Sequence, residues 1–544
     1  VALVVAAVLL CACTKIDASG RTTSGRHPWT IPGVLRMATN ADPKNLDPVL
    51  AASTPVLELS AFLFSYTVIY DDHARPVPDA VREIPTIENG DVSRDGLTIR
   101  YKLRPNIRWH DGAPLTCNDL RFTWRVVMNP HNNVVTTDGY KDIRDVDCSD
   151  PLVAVVHMKK LYAPFLQQLW SVNGNAPILP EHLLAKYNDD KGSFNTAPYQ
   201  AAPVGSGPFR FVRWDRGSQV VLRAFPDFFL GRPKLEKVIY KVMPDENTMA
   251  TQLATHELDL VFHGTPAIYP RLKATPGTTV VTPPVYLYQH VDFNLRRPMF
   301  QDLRVRSALA YALDRPAMMQ RVRHGLGQLS ETDESPAIGQ AYTNDVEHHP
   351  YDPAKARALL DAAGWRVGPG GIRVKNGTRF AFNISSATES TTAKQIEELV
   401  QHYWHAVGAD VTVKNAPTPL MFDNTANGIL QGGHYDVAVF GWFAAQDPDD
   451  SAIYSSENFA PHGQNALFWN DPAATADLNA GLASIDWPTR LAAYHDFQRR
   501  FAHDVPSIVL WFDLEAQAYN DDLKGFTVSP VITVPFWNTW ELSI

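Results

Sequence analysis

The chain predicts a multidomain α/β protein, on its length, its composition and its alternation of two apolar periods. At 544 residues it exceeds what a single hydrophobic core organises, so it divides into several domains. With 45% hydrophobic and 20% charged residues the body is that of an ordinary globular protein, able to bury large cores. Segments in which apolar residues alternate interleave with segments in which they recur three and four apart, the pattern of strands and helices in α/β folds. A formal charge of −9 without any Lys/Arg block rules out a nucleic-acid partner. The 13 Trp, 19 Tyr and 25 Phe are assigned mainly to core packing, leaving a minority for stacking on a ligand.

Taken in order, Val1 to Leu10 is an apolar run, and Leu10-Cys11-Ala12-Cys13 resembles a bacterial lipobox with Cys13 as the lipidated residue. A bilayer span needs about twenty apolar residues, so the run is expected to be a signal peptide over 1–12, followed by a lipid-anchored polar tether over 13–32. Because residue 1 is Val and no basic residue precedes the run, the expected start lies upstream or at a non-standard codon. The protein is thus expected to be exported and held by lipid to a bacterial membrane, in the periplasm or at the cell surface.

Gly33 to Thr39 reads as a strand, and Asn40 to Pro48 as a turn-rich loop. Leu97, Ile99, Tyr101 and Leu103 alternate as a strand should, next to Asp95-Gly96, a pair suited to a tight turn. Thr116 is placed to cap a helix carrying Leu120, Phe122 and Trp124. In an exported protein Cys117 and Cys148 are either a disulfide or two buried thiols. Glu246 to Glu257 reads as a helix, followed by a strand over Leu258 to Val261. Asp302 caps a helix with Val305, Leu309, Ala312 and Leu313 on one face. Asp352-Pro353 opens another, which Gly364 ends.

Several stretches invite catalytic readings that their chemistry does not sustain. His110-Asp111 has no third partner nearby, Gly205-Ser206-Gly207 lacks the spacing of a nucleophile elbow, and Gly368-Pro369-Gly370-Gly371 has a proline where a phosphate loop needs an N–H. The paired His348-His349 is read as a solvated loop, and no metal-ligand spacing is present. No enzyme activity, cofactor or metal is expected.

Five stretches carry a family resemblance: Leu46-Asp47-Pro48, the run from Asp95-Gly96-Leu97-Thr98 through Trp109-His110-Asp111-Gly112-Ala113-Pro114-Leu115-Thr116, Gly205 to Val212, Phe293 to Asp314, and Tyr351 to Trp365. Together they resemble family 5 of the extracellular solute-binding proteins, the dipeptide and oligopeptide receptors of ABC importers. The resemblance implies a two-lobed, type II periplasmic-binding-protein-like α/β fold with an additional α/β domain inserted in lobe I. Lobe I would comprise 33–65, 200–289 and 513–544, the extra domain 66–199, and lobe III 290–512. It also implies a monomer that encloses a small solute, a peptide above all, and hands it to an ABC permease and its ATPase. A sensor or chaperone on the same fold is the alternative reading, and a secreted hydrolase a remote one.

Peptide binders of this family place the carboxylate for the peptide amine in a Gly-Trp-x-x-Asp pattern. Gly441-Trp442 matches, Ala445 occupies the carboxylate position, and Asp447 is the nearest acid. The expected ligand-facing residues are therefore Trp442 first, then Asp447, with Asn294 and Trp511 at presumed lobe crossings.

Overall fold

The computed structural model describes residues 25–530 and 536–544. The signal run, Cys13 and most of the tether lie outside the described residues.

Two large sheets organise the chain. The first has seven strands in the order Thr278–Val281, Ala516–Asn520, Leu260–Gly264, Val34–Thr39, Lys237–Val242, Gln219–Ala224, Phe209–Asp215. Val34–Thr39 is parallel to both neighbours, with Met37 opposite Leu260 on one side and Tyr240 on the other. The second has six strands in the order Gly327–Gln328, Ser507–Leu514, Pro284–Phe293, Val437–Phe443, Ala381–Ser385, Asp410–Val413. A third, antiparallel sheet of Thr98–Lys102, Val153–Met158 and Ile143–Asp150 belongs to the inserted region.

The long strands at the centre of the six-stranded sheet continue directly into the seven-stranded one. Pro284–Phe293 follows Thr278–Val281 after two residues, and Ser507–Leu514 runs into Ala516–Asn520 through Glu515. The Glu515 N–H donates to the Pro283 carbonyl at 3.1 Å, so the two crossings lie side by side. The strands change sheet at 282–283 and at 515, close to the lobe boundaries expected after 289 and after 512. An extended run carries no mark of which sheet it joins.

Two strand connections run side by side between the sheets, and a part-buried ionic cluster sits beside them. His263, on Leu260–Gly264, meets Glu515 through Nδ1 at 2.5 Å and Glu58 through Nε2, and the Tyr240 hydroxyl donates to the other Glu58 oxygen. Burial alone would lower the His263 pKa, but the Glu58 charge and the hydrogen bonds to Glu515 and Glu58 outweigh it and push the imidazole up to about 10. A folded pKa above the usual 6.5 means stabilisation that is complete below that value and lost as pH climbs through about 10. The stability difference between the native protein and His263→Gln is expected to shrink steadily from pH 6 to pH 10 in denaturant unfolding. A constant difference would contradict the assignment.

Local structure follows the chemistry of its residues. Thr116 and Asp119 form a capping box on Cys117–Met128, and Cys117 is bonded to Cys148 with Cα atoms 5.5 Å apart, tying that helix to the small sheet. The Asp352 carboxylate accepts from the Ala354 and Lys355 N–H groups at the start of Pro353–Ala362, and Gly364 follows its end at φ +87°. The Glu246 helix ends at Ala254 rather than Glu257, because the Glu257 and Leu258 N–H groups both turn back to the Gln252 carbonyl. The following strand accordingly begins at Leu260.

The motifs set aside as non-catalytic have structural duties. His110 accepts from the Gly205 N–H at 3.1 Å through Nδ1 and donates to the Gly207 carbonyl at 2.9 Å through Nε2. Burial lowers its pKa to about 4, which keeps it neutral for both bonds. A Cβ on Gly205 would lie 1.8 Å from the Leu63 carbonyl oxygen, so this loop can pass only as glycine. The reading of His348-His349 as a solvated pair needs correction: His348 is exposed, but His349 is 2% exposed and lies beside Glu331.

Candidate functional site

The strand Val437–Phe443 pairs with Pro284–Phe293 so that Trp442 lies opposite Tyr288, and its exit loop Ala444 to Asp450 runs into the junction with the inserted region. Gln446 spans that junction. It accepts from the Tyr286 hydroxyl at 2.8 Å, and its amide donates to the Ala74 carbonyl at 3.2 Å. Around this contact a cavity of about 620 Å³ opens between Tyr70, Arg75, Ile87 and Phe165 of the inserted region and Ile338, Gln446, Trp487 and Arg490 of the six-stranded-sheet lobe. Its walls are mostly apolar, with a few polar groups, the usual character of a small-molecule site.

Behind the Gln446 loop lies a group of buried carboxylates. Asp333 and Glu334 are 1% and 2% exposed, on the loop between Gly327–Gln328 and the short helical segment Pro336–Ala341, and Asp450 is 8% exposed at the start of Ser451–Tyr454. Burial drives the Asp333 carboxyl up to about 6. Burial also raises Glu334, reinforced by the charge of Asp333, and raises Asp450, reinforced by Asp333 and Glu334. Like charges this close cannot all ionise unless a cation joins them. Tyr288 and Tyr454 form the floor, their hydroxyls 3.2 Å apart.

Trp442 is partly buried between two apolar clusters, and its neighbour Phe443 is 56% exposed at the strand end. Asp447 is buried, with Oδ1 accepting from Arg490 Nη2 at 2.5 Å. Trp442 and Asp447 thus lie on one strand and its exit loop. Asn294 and Trp511 do not. Asn294 is fully buried at the far end of Pro284–Phe293, where its amide donates to the Gly433 and Tyr435 carbonyls at 3.1 and 2.8 Å, which closes a turn. Trp511 is fully buried in the core of the six-stranded-sheet lobe, its indole N–H donating to Asp513 at 3.1 Å. In both, the polar group is already occupied inside the protein.

Asp333, Glu334 and Asp450 were not anticipated from sequence. The only signal of the first two is the acidic run Glu331-Thr-Asp-Glu334, which reads as a solvated face, and Asp450 closes the Asp447-Pro448-Asp449-Asp450 turn.

Comparisons with known proteins bear on this geometry. The family model described as "Bacterial extracellular solute-binding proteins, family 5 Middle" matches residues 47–462. The oligopeptide-binding protein AppA of Bacillus subtilis is 24% identical over 540 residues, 97% of this chain and 95% of that protein. The glutathione-binding protein GsiB of Pectobacterium atrosepticum is 26% identical over 452 residues, 81% of this chain and 82% of its own. Among solved structures, AppA in complex with a nonapeptide superposes with a TM-score of 0.71 at 23% identity, covering 94% of this chain and 99% of that one. NikZ of Campylobacter jejuni in complex with Ni(L-His) does so at 0.73 and 24% identity, covering 95% and 100%. The structures share the fold, mixed α/β with two large sheets. The match over residues 47–462 establishes that this chain belongs to family 5 of the bacterial extracellular solute-binding proteins, which bind solutes for ABC importers and are not enzymes.

Proposed function

We propose that the protein captures a short peptide between its lobes and delivers it, chemically unchanged, to an ABC permease and its ATPase. The observation that carries this reading is the cavity of about 620 Å³ between the inserted region and the six-stranded-sheet lobe, which Gln446 helps to line. An extended peptide offers backbone groups to such a cleft and brings a charged amine that needs an acidic partner. The printed names of AppA and GsiB, an oligopeptide binder and a glutathione binder, support a peptide-like cargo. Trp442 and the loop carrying Asp447 are assigned to the cargo-facing surface.

Sheet membership supports a first lobe built on the seven-stranded sheet, a third built on the six-stranded sheet, and an extra domain within 66–199. The N-terminal apolar run and the Leu-Cys-Ala-Cys13 sequence support export and a lipid anchor at Cys13, with the protein working as a monomer on the membrane surface.

Cargo that binds only the folded protein stabilises it by about 2.7 kcal/mol at a hundredfold excess over its dissociation constant. Thermal unfolding against a panel of di- to pentapeptides, sugars and free amino acids is expected to show an upward shift with a subset of the peptides. A shift with sugars alone would overturn the peptide assignment.

A further inference from the structure

The cavity of about 620 Å³ draws one apolar wall from each of the two bodies that meet there. Ile87, Phe165 and Leu166 line it from the inserted region, and Ile338, Ile485 and Trp487 from the six-stranded-sheet lobe. Two contacts fasten these bodies together. The Gln446 amide donates to the Ala74 carbonyl, and Ile485 reaches the Gly96 turn beside Leu161, its Cδ1 3.5 Å from where a Cβ on Gly96 would stand.

The charged groups of the lining are either paired or in water. Arg490 is held inside the protein by Asp447 at 2.5 Å and also donates to the Gly481 carbonyl and the Tyr494 hydroxyl. Arg75 is paired with Asp71 at 2.7 Å, and its side chain is 70% exposed. Glu88 and Asp486, the two acids of the lining, are both exposed, and the Asp486 carboxylate already accepts from the Thr489 N–H as the cap of the Trp487–Asp504 helix. His73 is exposed as well. Among the described residues, the lining thus offers no buried charge that lacks a partner. A charged cargo group enclosed here would lose its water without meeting a counter-charge, whereas an apolar group gains by leaving water.

We infer that the cargo is recognised through an apolar side chain, aromatic or branched aliphatic, seated between the Phe165 wall and the Trp487 wall, with its amine left at the exposed rim beside Glu88 and Asp486. The inference rests on the peptide-capture reading above and narrows it to peptides that carry a bulky apolar residue. It also accounts for Ala445: the carboxylate missing there is not replaced from within the loop, because Asp447 is taken by Arg490 and the amine is not the group that is gripped. A side chain that touches both walls adds apolar contact across the junction that Gln446 and Ile485 already bridge.

Titration calorimetry on the full chain would use Ala-Phe-Ala, Ala-Leu-Ala, Ala-Ala-Ala, Ala-Lys-Ala, Ala-Glu-Ala and N-acetyl-Ala-Phe-Ala as separate probes. Ala-Phe-Ala or Ala-Leu-Ala is expected to bind at least about tenfold tighter than the alanine, lysine and glutamate peptides, the scale on which apolar pockets discriminate side chains. Acetylation should change the affinity by no more than about threefold, since an exposed ion pair contributes little. Ile87→Gln should lower the ratio of Ala-Phe-Ala to Ala-Ala-Ala affinity about fivefold or more, because it puts a polar group in an apolar wall. Trp487→Ala, on the opposite wall, should lower the same ratio, which keeps the test informative if either variant folds poorly. General loosening of the protein would weaken both peptides together and leave the ratio where it was. An alanine, lysine or glutamate peptide as tight as the apolar ones, an acetylated peptide that loses more than its allowance, or an unchanged ratio in both variants would overturn the inference and leave solute capture standing. Failure of every tripeptide would also overturn it, and with no shift in the wider panel would overturn both readings.

Discussion

Replacing Arg490 with methionine is expected to destabilise the protein by about 3–5 kcal/mol, the cost of leaving a buried charge without its partner. The Arg490 and Asp447 side chains are 3% and 8% exposed, and water cannot readily take over the role of the guanidinium. The same change strips a donor from the Gly481 carbonyl at 2.9 Å and from the Tyr494 hydroxyl at 3.1 Å. It therefore loosens the Trp487–Asp504 helix against the loop that carries Asp447. Denaturant unfolding of Arg490→Met checks the size of the loss. Adding Asp447→Asn should recover much of it, because the unpaired charge is then gone. A double variant no better than the single one would show that the guanidinium acts by packing alone.

A loss of similar size, about 3–5 kcal/mol, is expected for Arg315→Met. Arg315 is 5% exposed and donates to the Ser330 and Val509 carbonyls, both at 2.9 Å, to the His349 carbonyl at 3.3 Å, and to Glu331. It thereby pins the loop that presents Asp333 and Glu334 to the Ser507–Leu514 strand at the lobe's centre. Burial would raise the Glu331 carboxyl, but the His349 hydrogen bonds and the Arg315 charge hold it down at about 2. A depressed carboxyl stabilises fully above its ordinary 4.5 and loses that contribution as pH falls through about 2. The gap between native protein and Arg315→Met is therefore expected to narrow between pH 4.5 and 2 in unfolding experiments. A variant of native stability would show that the loop is held by other contacts.

The architecture was legible in the sequence where local chemistry dictates it. Asp302, Asp352 and Thr116 start helices as their side chains require, and the glycines at 205 and 207 mark a place where backbone passes backbone. Two kinds of feature were not legible. Sheet membership of an extended run depends on distant partners, so the crossing at 282–283 could not be placed from the Pro284–Phe293 pattern alone. Burial of charge was equally hidden: Asp333 and Glu334 look like solvent-facing acids until the fold closes over them, and His349 likewise. Polar residues near strand crossings posed the opposite problem. Asn294 and Trp511 read as cleft residues, yet the backbone and Asp513 already satisfy their polar groups within the lobe. The Gly441-Trp442 signal was legible because it sits at a strand end, where Val437–Phe443 gives way to the loop that carries Ala445 and Asp447.

The central claim is that hinged lobes enclose one solute and release it unaltered. Native mass spectrometry of the protein purified without refolding, then loaded with the best-binding probe, tests it most directly. The account predicts a single added mass per chain, lost on gentle activation and recovered as the intact probe. A bare chain under every loading condition, or a recovered molecule with broken or newly formed bonds, would contradict it.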